Sequence, residues 1–140
     1  MSIPTVLDRF PTPPCATLLG LDIVDSNAAE GLVRIAFTAR PEFCNAAGNV
    51  QGGFLAAMLD DCMGPAILIA NNAQVFPSTI DLNVQFLAPA KPGLLIGTGR
   101  VVQLGRTIGF VEAELADGAG TTLARARASV RLTALSRAVT

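Results

Sequence analysis

Two periodicities of apolar residues divide the chain. Val33, Ile35 and Phe37 alternate with smaller or polar neighbours, which is typical of an antiparallel strand with one buried face. From residue 53 to about residue 71 the chain is apolar nearly all round and rich in helix formers, as in a helix buried on most of its faces. Alternation of apolar with polar or smaller residues returns in four later segments. The pattern therefore predicts two strands, one long helix and four further strands.

Turn residues separate these segments and set their expected bounds. Gly31 can take a positive φ after the first strand, residues 89–93 are a strong turn signal, and residues 117–118 fit a hairpin turn. Pro65 lacks a backbone donor and is expected to kink or loosen the helix. The strands are expected at 21–25, 33–38, 78–87, 94–104, 107–116 and 124–132.

The strand pattern also assigns faces. Ile80, Leu82, Val84 and Phe86 share one face of their strand and are expected to meet the helix. An antiparallel sheet whose apolar face wraps the helix accounts for both periodicities. We therefore expect an α+β fold, with about five to six antiparallel strands around one long central helix. Residues 1–140 are expected to form one domain that begins with a loop and short helix over residues 1–18.

Composition adds expectations about assembly and location. Charged residues make up only 15% of the chain, against roughly 25% in an average domain. Such a surface favours burial against copies of the same chain. The net charge of −1 and the lack of Trp and Tyr argue against a nucleic-acid partner. No apolar run reaches the length of a membrane span, residues 1–14 do not resemble a secretory signal, and three widely spaced cysteines suggest reduced thiols, so a cytoplasmic protein is expected.

The chain has no histidine. This excludes Ser-His-Asp and Cys-His hydrolysis, His-dependent dehydration and His-ligated metals. Acid–base chemistry must therefore come from carboxylates, water or backbone groups, and no metal site is expected.

The expected start of the long helix is a candidate site for an anionic oxygen. The first N–H groups of a helix have no internal partners and carry partial positive charge. Gly52 and Gly53 would leave these donors unshielded. Such a terminus can hold a carbonyl oxygen as it gains negative charge. An ordinary glycine-rich loop before a helix would have the same sequence.

Asp60 is the candidate carboxylate. It lies one helical turn after small alanines that leave room for a substrate, and a lone buried carboxylate needs partners or a function. Its neighbour Asp61 is about 100° away around the helix, so the two carboxylates face different directions. Both acids could instead lie on a solvated stripe or at a dimer contact. Asn45, in the loop before the helix, could orient water or polarise a carbonyl, or could simply form a turn.

Together these residues resemble the signature of the hotdog-fold thioesterases, especially the PaaI-like acyl-CoA thioesterases of the 4-hydroxybenzoyl-CoA thioesterase superfamily. That signature reads Asn, a loop, Gly, then His-Gly-Gly and a helix with Asp or Glu nine residues after the His. Here the run starts at Asn45 and ends at Gly53, and Asp60 stands nine residues after Gln51. Segments 78–90 and 105–107 also resemble the family, and the likeness extends over residues 19–132.

The resemblance implies a role for each matching residue. Asp60 would be the general base or the nucleophile, the Gly52 N–H would bind the thioester carbonyl, and Asn45 would position water or the thioester. Thr79 would orient water and would enter the site from the neighbouring subunit. The remaining matches would bind substrate, the last three of them near the CoA tail: Gln51, Gly53, Gly105, Arg106 and Thr107.

The resemblance also implies a reaction and an assembly. The reaction would be hydrolysis of small acyl-CoA or aryl-CoA thioesters to free acid and CoA, with no cofactor besides the CoA of the substrate. The assembly would be a homodimer or a dimer of dimers with active sites shared across the interface. The acyl group stays open, although Phe54, Met58 and Phe86 could give it an apolar lining.

One residue departs from the family signature, because Gln51 stands where most members have His. Gln can still donate and accept hydrogen bonds at the helix start, and the acid–base role belongs to the carboxylate, so hydrolysis is expected to survive. The change keeps open an alternative, a hotdog protein that binds acyl-CoA without hydrolysing it. A hotdog dehydratase would need the missing histidine, and a purely structural oligomerisation module would leave Asp60 without a substrate.

Overall fold

The computed structural model describes residues 2–135. Two short 3₁₀ helices, Val6–Arg9 and Pro41–Phe43, accompany a six-residue helix α1, Pro14–Leu19, and a long helix α2, Gly52–Ala70. The strands are β1 (Asp22–Asn27), β2 (Leu32–Ala39), β3 (Val75–Phe86), β4 (Gly93–Leu104), β5 (Ile108–Asp117) and β6 (Thr122–Ala134).

The six strands form one antiparallel sheet that wraps around α2. Their order across the sheet is β1-β2-β4-β5-β6-β3, so β1 and β3 are the edge strands. Helix α2 packs against all six strands. This is the hotdog architecture that the resemblance implies, and the order of two strands, one helix and four strands is confirmed. Gly31 takes a φ of 63° in the first turn, as its position predicts.

Helix α2 is long and apolar enough, by length and composition, to cross a membrane. Its apolar side chains nevertheless lie inside the protein, since Met58, Leu59 and Ile67 are fully buried beneath the sheet. It is the core helix that the all-round apolar pattern predicts. Pro65 does not end this helix, which continues to Ala70. The missing N–H of Pro65 leaves the Asp61 carbonyl without its usual helical partner.

Two glycines in β4 allow α2 to approach the middle of the sheet closely. A Cβ placed on Gly97 would lie 2.4 Å from Cys62 Sγ, and a Cβ placed on Gly99 would lie 2.4 Å from the Cys62 carbonyl oxygen. Neither distance is tolerable for non-bonded atoms, so only glycine fits at both positions. These contacts fix the height of α2 above β4, and with it the position of the helical residues before and after Cys62.

A β-bulge in β3 corrects the predicted faces of that strand. Thr79 pairs with Val130 and Asp81 with Ser129, so Ile80 is the extra residue. The bulge turns Ile80 outward, where it is 57% exposed. Only Leu82 and Val84 of the predicted apolar face pack against the core. Phe86, at the end of the strand, is also exposed.

We expect Gly99→Ala to destabilise the fold, because the added methyl group would meet helix backbone that cannot move aside cheaply. Over-packing of this kind typically costs about 1–3 kcal/mol, and we expect a loss of about 2 kcal/mol in the free energy of unfolding. Denaturant unfolding monitored by circular dichroism measures it. Gly118→Ala is the matched control, because nothing lies within 4 Å of its added Cβ. Equal midpoints for the two variants would contradict the close approach of α2 to β4.

Candidate active site

The N-terminus of α2 is held in place by backbone hydrogen bonds from the preceding loop. Gln51 N–H donates to the Phe43 carbonyl at 2.9 Å, and Val50 N–H donates to the Ala90 carbonyl at 2.8 Å. Gln51 is the N-cap residue, and its side chain makes no capping hydrogen bond. Helix α2 therefore begins at Gly52, one residue earlier than the sequence pattern predicts.

The first two N–H groups of α2 are free to bind a ligand. Phe54 and Leu55 both donate to the Gln51 carbonyl, whereas the N–H groups of Gly52 and Gly53 have no backbone acceptor among residues 2–135. The helix carries no acidic residue in its first turn to compete for them. The Phe86 ring lies against Gly52, since a Cβ on that residue would be 3.1 Å from Phe86 Cζ. Space is open beside Gly53.

Asn45 shapes the loop that leads into α2. Its Oδ1 accepts hydrogen bonds from the N–H groups of Ala47 at 3.0 Å and Asn49 at 3.2 Å. The turn-forming interpretation of Asn45 is thus confirmed for its side-chain oxygen. The Nδ2 amide of this side chain has no hydrogen-bond partner among residues 2–135.

Asp60 and Thr79 form a hydrogen-bonded pair within one chain. Thr79 Oγ1 donates to Asp60 Oδ1 at 2.9 Å, and both side chains are exposed. Strand β3 thus places Thr79 beside α2 of its own chain, so the Thr79 hydroxyl contacts Asp60 within one chain. The threonine hydroxyl fixes the orientation of the carboxylate.

Asp61 has a different environment from Asp60. Its side chain is half-buried, and its Oδ2 is a buried atom without a hydrogen-bond partner in the described part of the chain. Burial, and to a smaller extent the charge of Asp60, raises the pKa of Asp61 from 3.8 to about 6. The two carboxylates thus face different surroundings, as their angular separation on the helix predicts.

Both carboxylates line a cavity of about 700 Å³. This volume is typical of small-molecule sites. The N-terminal segment (residues 2–13) covers one side of the cavity and is anchored by the Ile3 N–H, which donates to the Ile23 carbonyl at 2.9 Å. The second half of α2 and the start of β3 form the other walls. Most lining side chains are apolar, among them Ile3, Leu7, Phe10, Met63, Leu68 and Phe76.

The residues that line the cavity differ from those predicted to line the site of the acyl group. Met58 is fully buried in the core, and Phe54 stacks on Phe43 with ring centroids 4.2 Å apart. Neither of these side chains nor Phe86 lines the cavity. The sequence reasoning missed the wall formed by the N-terminal segment, whose only signal was the presence of large apolar residues among its prolines.

The two predicted centres of chemistry are far apart within one chain. Gly52 and Asp60 are separated by eight residues of continuous helix, which corresponds to about 12 Å at a rise of 1.5 Å per residue. A carbonyl group bound at the Gly52 N–H would therefore lie far along the helix from Asp60 of the same chain.

The turn at residues 105–107 lies at the same end of the sheet as Thr79. The Thr107 carbonyl accepts a hydrogen bond from Leu132 N–H at 2.8 Å. Ile108 pairs with Arg131, which pairs with Ser78, so Ile108 and Ser78 are about 10 Å apart across two strand spacings. The exposed Arg106 therefore lies in a turn at the end of the sheet where Thr79 lies.

Several other polar or nucleophilic side chains make contacts within the sheet or the core rather than at the cavity. Arg100 lies 3.8 Å from Glu112, and Arg125 Nε donates to Gln85 Oε1 at 2.8 Å on the outer face of the sheet. Cys62 is fully buried, and burial, together with the charge of Asp61, raises the pKa of its thiol well above the usual range. Cys62 is thus a core side chain rather than a nucleophile.

Comparison with known proteins places this geometry in a family. The sequence profile described as "Thioesterase superfamily" matches residues 47–124. A Halobacterium salinarum protein with the provisional name of an esterase is 34% identical over 127 residues, which cover 83% of this chain and 82% of that protein. Human acyl-coenzyme A thioesterase 13 is 30% identical over 94 residues, which cover 66% of each.

A solved structure shows the same fold over nearly the whole chain. The phenylacetic acid degradation-related protein from Ralstonia eutropha JMP134 superposes with a TM-score of 0.84 at 34% identity, covering 90% of this chain and 95% of that chain. The predicted resemblance to hotdog thioesterases is therefore confirmed.

The raised pKa of Asp61 predicts a specific pH dependence of stability. The folded chain holds this proton more tightly than the unfolded chain, so the Asp61 contribution to stability falls as pH rises from about 4 to about 6 and is then constant. Asp61→Asn should gain stability over the wild type across this window, by up to about 2 kcal/mol. Denaturant unfolding at a series of pH values measures it. Glu114→Gln, at an exposed carboxylate on the outer sheet face, corrects for removing one negative charge. Parallel pH curves for wild type and Asp61→Asn would contradict the burial of this group.

Proposed function

The chain belongs to the thioesterase superfamily and is a thioester hydrolase, and on that premise we propose that its substrates are small acyl-CoA or aryl-CoA thioesters, cleaved to free acid and CoA. The name of the human relative, acyl-coenzyme A thioesterase 13, supports CoA as the thiol. The observation that carries the proposal is the Asp60–Thr79 pair at the rim of an apolar cavity. A thioester at Asp60 would extend its acyl group into that cavity.

In this proposal Asp60 acts as the general base. Its carboxylate takes a proton from water while the water oxygen bonds to the thioester carbon. The carbonyl oxygen gains negative charge and is held by the free N–H of Gly52. The carbon–sulfur bond then breaks, and CoA leaves as the thiolate. Direct attack by Asp60 would instead form an anhydride that water later opens, and oxygen-18 incorporation into the enzyme in a single turnover distinguishes the two routes.

The active site is proposed to be shared between two copies of the chain. The distance of about 12 Å between Gly52 and Asp60 within one helix favours an arrangement in which the two groups come from different chains. Helix α2 and strand β3 run antiparallel, with Gly52 beside Phe86 at one end and Asp60 beside Thr79 at the other. A two-fold axis midway between Thr79 and Phe86 on β3 would bring the Asp60 end of one chain to the Gly52 end of its partner.

The edge strand β3 supports this pairing. It is twelve residues long and, among the described residues, has no neighbouring strand on its outer side. Phe76, Ile80 and Phe86 on it are 42%, 57% and 54% exposed. A long apolar edge strand is an unstable surface in an isolated chain, because it offers unpaired backbone groups to any other strand. Antiparallel β3–β3 pairing would satisfy those groups and cover these side chains.

A dimer of dimers is proposed from a second apolar surface. Val102 and Phe110 are exposed on β4 and β5, and they line one groove on the sheet surface together with Asp81 and Asn83 of β3. Contiguous exposed apolar residues of this kind mark contact surfaces. Joining two dimers through them would leave the β3 pairing intact.

The residues expected to bind substrate fit this assembly. Arg106 is proposed to contact a CoA phosphate, with Gly105 and Thr107 shaping the turn that carries it. Asn45 and Gln51, with free amide groups beside the helix start, are proposed to orient the thioester, and Gly53 to leave room for it. The reaction as written uses no cofactor beyond the CoA of the substrate. The free cysteines fit the proposed cytoplasmic location.

We expect Asp60→Asn to lower kcat for acyl-CoA hydrolysis by at least about 100-fold, because an amide cannot take the proton from water. Thiol release from a panel of acyl-CoAs, followed with a thiol-reactive dye, measures it. Glu114→Gln is the matched control and should keep wild-type activity, because its carboxylate lies on the outer sheet face. Hydrolysis by Asp60→Asn at the control rate would refute the assignment. Tight acyl-CoA binding by the wild type without any thiol release would favour the non-catalytic binding protein that Gln51 keeps open.

A further inference from the structure

An aromatic ring occupies the space beside the first residue of α2. Phe86 is the last residue of β3, and a Cβ added to Gly52 would lie 3.1 Å and 3.2 Å from two carbons of its ring. The ring therefore stands where a side chain at position 52 would stand. Phe86 is 54% exposed and does not belong to the hydrophobic core of the described residues. The ring is thus placed by its contact with the helix start rather than by burial.

Backbone hydrogen bonds fix the distance between this ring and the helix start. Leu87, directly after Phe86, donates its N–H to the Leu123 carbonyl at 2.8 Å. The Ala90 carbonyl accepts a hydrogen bond from Val50 N–H at 2.8 Å, which ties the segment after β3 to the loop before α2. The segment that carries the ring is therefore attached both to the sheet and to the residues that lead into the helix.

The contact affects the N–H group that the proposed reaction uses. The N–H of Gly52 has no backbone acceptor among residues 2–135, and the first turn of α2 carries no acidic side chain. A hydrocarbon ring against this residue excludes water from one side of the donor. A fixed donor in a site without water stabilises a developing negative charge far better than the same donor in water. The ring thus favours tight binding of the carbonyl oxygen as its charge grows.

On the basis of the proposed function, we propose that Phe86 is a positioning residue for thioester hydrolysis, whose ring holds the Gly52 N–H in place and keeps water away from it. The ring has no polar atom and takes no part in proton transfer. It acts on the carbonyl oxygen only through the backbone donor. The same contact accounts for glycine at position 52, because a side chain there would push against the ring.

The proposed dimer places the exposed side of the ring at the shared site. Thr79 and Phe86 both contact α2, so their side chains lie on the same face of β3. Antiparallel pairing of two β3 strands about an axis midway between these residues brings Phe86 opposite Thr79 of the partner subunit, with Cα atoms about 5 Å apart. The ring then lies between the Gly52 donor of one chain and the Asp60 carboxylate of the other.

Steady-state kinetics of acyl-CoA hydrolysis test this role. Removing an oxyanion donor typically costs about 10²–10³ in kcat, and a donor that is kept but solvated should lose a smaller part, so we expect Phe86→Ala to lower kcat by about 10-fold. KM should change by less than about 3-fold, because the lost interaction belongs to the transition state. Phe86→Leu, which keeps apolar bulk beside the helix start, should restore part of the lost kcat.

Phe110→Ala is the matched control. It also removes an exposed ring from the sheet, but Phe110 lines a groove on the sheet surface and not the cavity that contains Asp60. We expect this variant to keep the wild-type kcat. If Phe86→Ala fails to fold or to form dimers, Phe86→Leu decides, through a loss of kcat at unchanged KM.

Two further measurements ask whether the ring acts through Gly52. In a Gly52→Pro background, which lacks the donor, Phe86→Ala should cause no further loss of kcat, because no N–H is left to protect. Amide exchange with water, measured by NMR, should be at least about 10-fold faster for the Gly52 N–H in Phe86→Ala than in the wild type. The Gly53 N–H should change less, because the space beside that residue is already open.

Several results would overturn the inference. They are an unchanged kcat in Phe86→Ala, an equal loss of kcat in the Gly52→Pro background, and unchanged exchange of the Gly52 N–H. A rise in KM at unchanged kcat would make Phe86 a substrate-binding residue and would also contradict it. All of these leave the proposed function intact while the wild type releases thiol from acyl-CoA. A wild-type chain that releases no thiol would refute the proposed function, and the exchange rates would still show whether the ring protects the donor.

Discussion

The rise of an α-helix sets the distance between the two groups on which the proposed chemistry depends. The free N–H at Gly52 and the carboxylate at Asp60 belong to the same continuous helix, and eight residues place them about 12 Å apart. No side-chain rotation removes this distance, because one of the two groups is the backbone itself. In the proposed mechanism each chain supplies one half of a thioesterase site, and two chains complete it.

The rest of the fold holds these two halves in fixed positions. Gly97 and Gly99 let α2 lie against the centre of the sheet, and the fully buried side chains of the helix lock its rotation. That rotation turns Asp60 toward Thr79 and Asp61 toward the covered part of the cavity. The edge strand β3 is long, apolar and unpaired on its outer side, which makes it the natural contact for a second copy. In the proposed dimer, packing of the core and assembly of the site are therefore linked through α2 and β3.

Much of this could be predicted from the sequence, because it depends on local periodicity. The alternation at Val33, Ile35 and Phe37 and the all-round apolar helix predict the element order. The family resemblance is carried by the run from Asn45 to Asp60 together with segments 78–90 and 105–107. Features that depend on non-local partners could not be predicted. The bulge at Ile80 depends on how β3 pairs with β6, and it moves Thr79 to Asp60 of its own chain. The N-terminal wall of the cavity and the unpartnered Asp61 oxygen exist only once distant segments pack together.

Complementation between two inactive variants tests the shared site most directly. Gly52→Pro deletes the proposed N–H donor at the first helical position, where proline is tolerated, and Gly52→Ala controls for the contact with Phe86. Asp60→Asn removes the base. When chains of the two inactive variants are unfolded, mixed equally and refolded, half of the sites in each mixed dimer contain both native groups, so activity should return to about a quarter of the wild-type level. A mixture that folds and forms mixed dimers but stays inactive would contradict the shared site, since each site would then draw both groups from one chain.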